Sequence, residues 1–169
     1  MSVSRVVVCA VVILSAFFSG GCDHAPLSMG EMVPTFRLDT LGHERFYLED
    51  HRQSPVVLVF WATWCRACKK EMAALNAMTR DPRFQETVFA AVCVDPENRE
   101  DVRRTIVGLG LSYPVLLDQE SRLYNKFNIG ALPFTMLMAP GGGLAFARAG
   151  YDGVLMRDLE TKLLEVAPK

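Results

Sequence analysis

A chain of 169 residues and 18.8 kDa has room for one ordinary domain and not for two large ones. Half of its residues are hydrophobic and 22% are charged, which excludes a disordered chain; a formal net charge of -1 leaves no basic excess to neutralise nucleic-acid phosphates. Five Cys are too few for a disulfide-dense mini-protein, and three His too few for a multi-His metal site.

Residues 1–21 read as a secretory signal. Arg5 is their only charge, Val6 to Phe18 is apolar except for Ser15, and Ser19, Gly20 and Gly21 are small. The apolar run falls short of the ~20 residues a spanning helix needs, although an uncleaved anchor is the alternative. Ser19-Gly20-Gly21-Cys22 resembles a bacterial lipoprotein signal, with Ser19 where that family usually has Leu, Val or Ile. The resemblance implies cleavage before Cys22, a lipid on Cys22, and a location at the extracytoplasmic (periplasmic) face of the inner membrane. Ordinary cleavage nearby would give an unlipidated extracytoplasmic protein. Cys9 is lost with the signal, leaving Cys22, Cys65, Cys68 and Cys93 in a compartment where disulfides persist.

Residues 22–30 are expected to be a tether and 31–169 one domain. A hairpin is predicted from the alternation in Thr35–Leu38, a turn at Gly42, and Phe46 and Leu48. Pro55–Trp61 is apolar throughout, the pattern of a central strand covered on both faces. Ala67–Thr79 has Cys68, Met72, Leu75 and Met78 at helical spacing, with Lys69, Lys70 and Glu71 between them. Then follow a strand at Thr87–Val94, a helix at Arg99–Leu109 stopped by Gly108 or Gly110, and a strand at Tyr113–Leu117. A short helix at Ser121–Phe127 is predicted with Ser121 as its N-cap. A hairpin of Phe134–Met138 and Leu144–Arg148 turns at Pro140–Gly143, and an amphipathic helix at Asp152–Val166 closes the chain. Strand–helix alternation with an antiparallel finish implies an α/β fold with a mixed central sheet, flanked by helices and preceded by a hairpin.

Trp64-Cys65-Arg66-Ala67-Cys68 lies where a buried strand gives way to a helix. Unpaired N–H groups and roughly half a positive charge at a helix start lower a thiol's pKa below its free ~8.5. Cys65, in the first turn, is therefore the expected attacking thiolate, and Cys68, one turn on, the resolving residue. Arg66, Lys69 and Lys70 add positive potential, while Trp64 and Trp61 bound the site with apolar surface. A zinc site would need a second half that is missing. Cys93, inside a strand, reads as an inert core residue.

The stretch Val57–Glu71 resembles the active site of the thioredoxin superfamily and, more narrowly, is similar to the TlpA/ResA-like extracytoplasmic thiol–disulfide oxidoreductases. The likeness extends over about residues 31–166, with Pro34-Thr35-Phe36-Arg37-Leu38, Gly42 and Gly130-Ala131-Leu132-Pro133 in support. It implies a thioredoxin-like fold, a cis Pro133 facing the CxxC, and substrate contacts through Trp64, Leu132 and Pro133. Thioredoxin's buried Asp is absent, since Val59 stands there; some relatives use a Glu on a later loop, which points to Glu97, or to Asp95, for proton transfer. The implied activity is exchange of a CxxC dithiol or disulfide with protein substrates, as a reductase, for example in cytochrome c maturation. Implied partners are protein dithiols and disulfides, a membrane thiol electron carrier, and the membrane itself through the N-terminus. No cofactor, metal or nucleic acid is implied.

Two alternatives have sequence tests. Thiol peroxidases of the peroxiredoxin type carry P-x-x-x-T-x-x-C, and here Ala62 stands three before Cys65. Copper chaperones on this fold use CxxxC with a distal His; this chain has CxxC and no His after His51, although two thiolates can still take a soft metal.

Overall fold

The computed structural model describes residues 27–167. The signal segment, Cys22 and the start of the tether lie outside the described residues. No described helix is long and apolar enough to cross a membrane.

Seven strands form one mixed sheet: β1 (Arg37–Thr40), β2 (Arg45–Tyr47), β3 (Val56–Trp61), β4 (Val88–Cys93), β5 (Val115–Leu117), β6 (Phe134–Met138) and β7 (Leu144–Ala149). Their order across the sheet is β2-β1-β5-β4-β3-β6-β7. The helices are α1 (Arg66–Met78), α2 (Arg99–Leu109), α3 (Arg122–Lys126) and α4 (Gly153–Val166). The expected α/β architecture with a mixed sheet and a leading hairpin is the observed one.

β3 is buried along its whole length because both faces are covered. Val57, Val59 and Trp61 pack in a core with Cys68, Met72 and Leu75 of α1 and Leu159 and Leu163 of α4. Val56, Leu58 and Phe60 face the other way, into a core with Leu123 of α3, Phe127 just after it and Phe46 of the hairpin. Strand geometry alternates side chains across the sheet, so a run without a polar face is the mark of this position.

Several boundaries differ from expectation. The first hairpin runs two residues later on its leading strand, because Thr40 takes Glu44 N–H on its Oγ1 and pairs its own N–H with Glu44 O. His43, not Gly42, adopts the left-handed backbone there (φ 68°), and Leu48 falls in a 3-10 turn. β5 starts only at Val115, after Pro114, which has no N–H to give the sheet. α2 ends on Gly110 in the left-handed conformation (φ 58°), a position glycine adopts without steric penalty.

Ser121 does not cap α3. It has φ 51°, makes no cap hydrogen bond, and its Oγ donates to Val94 O at 2.8 Å. Buried Asp118 takes the role instead, accepting Leu123 N–H and Tyr124 N–H at 2.8 Å each. A carboxylate reaching across a preceding 3-10 turn satisfies two donors where a hydroxyl would satisfy one, and such caps contribute about 1 kcal/mol.

The topology gathers the chemistry at one end. β3, β4 and β5 are parallel, with Trp61 level with Cys93, and Cys93 with Leu117. The segments that follow them leave the sheet together. β6 runs against β3, and Phe134 is level with Phe60, so Leu132 and Pro133 enter the sheet beside the exit of β3. At the opposite end Gly30, the last tether residue, already donates to Leu144 O at 2.8 Å, and Met32 bridges Gly143.

Candidate active site

Cys65 is the N-cap of α1, one position earlier than the first turn expected for it. Its Sγ lies 3.1 Å from Cys68 N–H, and the two cysteines are joined in a disulfide with Cα atoms 5.3 Å apart. Helix geometry puts a residue three positions after the cap one turn along, which brings the sulfurs together. Cys68 is fully buried and Cys65 is 6% exposed, so Cys65 is the sulfur a partner can reach. Beside it Trp64 is 72% exposed, while Trp61 lies wholly inside.

The turn ahead of Cys65 is pinned from the loop that follows β4. Asp95 accepts Thr63 N–H at 3.0 and 3.1 Å and the Thr63 hydroxyl at 2.6 Å. Cys65 N–H donates to Ala62 O at 3.0 Å, closing the turn. Cys93 donates to the same Asp95 at 3.3 Å; burial pushes its thiol well above the ordinary range, which keeps it in the unreactive protonated form expected of a core residue. Glu97 is exposed on the loop that follows.

In the sequence Glu71 stands with Lys69 and Lys70 between the apolar positions of α1, yet in the structure it is fully buried. It sits one turn beyond Cys68 on α1 and accepts the Thr135 hydroxyl of β6 at 2.6 Å on Oε1. Its Oε2 has no hydrogen-bond partner among the described residues, and the same holds for the indole Nε1 of Trp61. Burial pushes the Glu71 carboxyl up from 4.5 to about 7, with the Thr135 hydroxyl holding it down in part. A signal was present in the sequence: residues 68, 71 and 75 fall on one face at helical spacing, so Glu71 lies on the buried stripe.

Leu132 packs against the core that contains both cysteines. The Leu132–Pro133 peptide bond is cis, Pro133 is buried, and its carbonyl accepts Gly150 N–H at 2.8 Å. A groove of about 310 Å³ opens beside the motif, lined by Thr63, Trp64, Lys69, Asp101, Arg104 and Thr105. A larger one of about 430 Å³ lies between β1 and α3 and contains neither cysteine. Among the described residues no three His, Cys, Asp or Glu side chains converge as a metal site would require.

The sequence profile of the AhpC/TSA family matches residues 29–147, a span that holds both cysteines and Pro133. The chain belongs to the AhpC/TSA family. Within this family it resembles the thiol-disulfide oxidoreductase ResA of Geobacillus kaustophilus, with 31% identity over 147 residues, 86% of this chain and 82% of that one. ResA of Bacillus subtilis is likewise 31% identical, over 139 residues, 81% of this chain and 75% of that one. The thioredoxin domain of a thiol-disulfide oxidoreductase from Bacteroides vulgatus has the same fold: TM-score 0.70 over 81% of this chain and 99% of that one, at 21% identity. This AhpC/TSA member is a thioredoxin-like thiol–disulfide oxidoreductase of the ResA type, with Cys65 and Cys68 as its CxxC pair.

Proposed function

We propose that the chain reduces disulfides of proteins outside the cytoplasm, with apocytochrome c maturation as one setting. The observation that carries this reading is the stacking of roles along one helix start. Cys65 is at the N-cap with its sulfur on Cys68 N–H, and Cys68 and Glu71 are buried behind it.

In the reduced chain the Cys65 thiolate attacks one sulfur of a substrate disulfide. A mixed disulfide forms and the second substrate sulfur leaves as a thiolate. Cys68 then attacks Cys65 Sγ, which releases the other substrate sulfur and closes the Cys65–Cys68 disulfide. Two electrons pass from the dithiol to the substrate. For that second attack Cys68 must lose its proton inside the protein. We assign its acceptor as Glu71 rather than exposed Glu97, because a buried carboxyl that titrates near neutrality can take a proton and return it. Trp64 and the Leu132–Pro133 edge receive the substrate segment.

A negative charge under the pair disfavours a thiolate at Cys68. That favours the disulfide form and supports the reducing direction, against the pull of the helix start on Cys65. In this reading residues 1–21 are removed, Cys22 carries the lipid, 22–30 tether residues 31–169 to the membrane, and a membrane thiol carrier returns electrons. The test compares the two directions with one peptide bearing a Cys pair. The reduced chain should reduce the peptide disulfide faster than the oxidised chain oxidises the peptide dithiol. The reverse order would make the protein a disulfide donor.

A further inference from the structure

The first turn of α1 presents Arg66, Lys69 and Lys70, spaced i, i+3 and i+4, so they share one side of the helix beside exposed Trp64. None of the three makes an ion pair to a described residue. Across the groove, α2 contributes charges that are already matched. Asp101 pairs with Arg104, and Glu100 with Arg103 at 3.9 Å. Asp95, which holds Thr63 in the groove wall, and exposed Glu97 two residues on make no ion pair among the described residues, so two free acids stand against three free cations. The rim therefore carries an excess of positive charge, although the chain as a whole is net negative.

Resting on the oxidoreductase reading, we propose that this groove takes an acidic segment of the substrate polypeptide next to its reactive cysteine. The occupant is chosen by charge complementarity. The apolar face of Trp64 gives the segment a platform, Lys69 lies in the groove wall, and Arg66 and Lys70 are exposed on the same side of α1. Unpaired cations at a rim act chiefly on encounter and orientation, so the preference is strongest at low ionic strength. A substrate with acidic flanks is drawn in with its disulfide beside Cys65, and one with basic flanks is repelled.

The test uses the full chain, reduced, and three peptides that share one intramolecular disulfide and differ only in flanks of four Glu, four Ser or four Lys. At low salt kcat/KM should fall about tenfold from Glu to Ser flanks and again from Ser to Lys flanks, with the differences collapsing near 1 M salt. The double variant Lys69→Glu, Lys70→Glu should invert the Glu-to-Lys ratio, and a ratio cancels any change in Cys65 reactivity. Equal rates for the three peptides at low salt would overturn the proposal, and so would a ratio the double variant leaves unchanged. Equal peptide rates combined with weaker binding of that variant to phosphatidylglycerol vesicles would overturn it in favour of a lipid-facing role. Failure to reduce even the Ser-flanked peptide would be a different result, since it removes the oxidoreductase reading itself.

Discussion

Cys68→Ala is expected to lower turnover of a disulfide substrate by at least ~10³-fold while leaving attack by Cys65 in place. The first step needs only the Cys65 thiolate, and its stabilising contacts are the Cys68 backbone N–H and the start of α1, neither of which depends on the Cys68 sulfur. Without Cys68 Sγ the mixed disulfide has no internal exit. Covalent adducts should therefore accumulate, sensitive to dithiothreitol and absent from Cys65→Ala. Non-reducing electrophoresis followed by peptide mapping checks this. Adducts that form in Cys65→Ala but not in Cys68→Ala would reverse the roles. Adducts through Cys93 would contradict the account, because that sulfur is buried and its thiol is held protonated.

Glu71→Gln should separate proton transfer from packing. Gln keeps an oxygen for the Thr135 hydroxyl but cannot take a proton. Resolution of the mixed disulfide should slow about tenfold or more near neutral pH, and the limb that wild type shows around pH 7 should vanish. The stability effect has the opposite sign. The folded carboxyl binds its proton more tightly than the unfolded one, so its contribution is fully present below about 4.5 and is lost as pH rises through about 7. The difference corresponds to roughly 3 kcal/mol. Wild type and variant should be similar at pH 4, and the variant more stable at pH 8. Urea unfolding at the two pH values measures the gap, and parallel pH dependences would mean that Glu71 does not titrate in this range.

The parts of the site legible in the sequence are those set by local rules. An unbroken apolar run fixed β3, the junction after it fixed the start of α1, and Cys65 and Cys68 followed from that placement. Glu71 stands with Lys69 and Lys70 between the apolar positions of the sequence, although its helical spacing puts it level with Cys68 and Leu75, and only the packed fold shows it buried. The Asp95–Thr63 contact joins residues 32 apart and depends on β3 and β4 lying side by side in register, so nothing in either segment announces it. Asp118 displaced Ser121 as the cap of α3 for a similar reason. The 3-10 turn between them brings a more distant carboxylate within reach of Leu123 and Tyr124 N–H. The sequence alone favours the nearest capping residue, and the fold favours the one with two acceptors.

The most direct measurement is the reduction potential of the Cys65/Cys68 pair against a glutathione or dithiothreitol series. The account predicts a reversible two-electron couple near thioredoxin's ~−270 mV, lost in either cysteine variant. A reversible couple near ~−120 mV would contradict the reducing direction and make the protein a disulfide donor. If no reversible couple appears, Cys65 and Cys68 are not a redox pair, and the central claim falls.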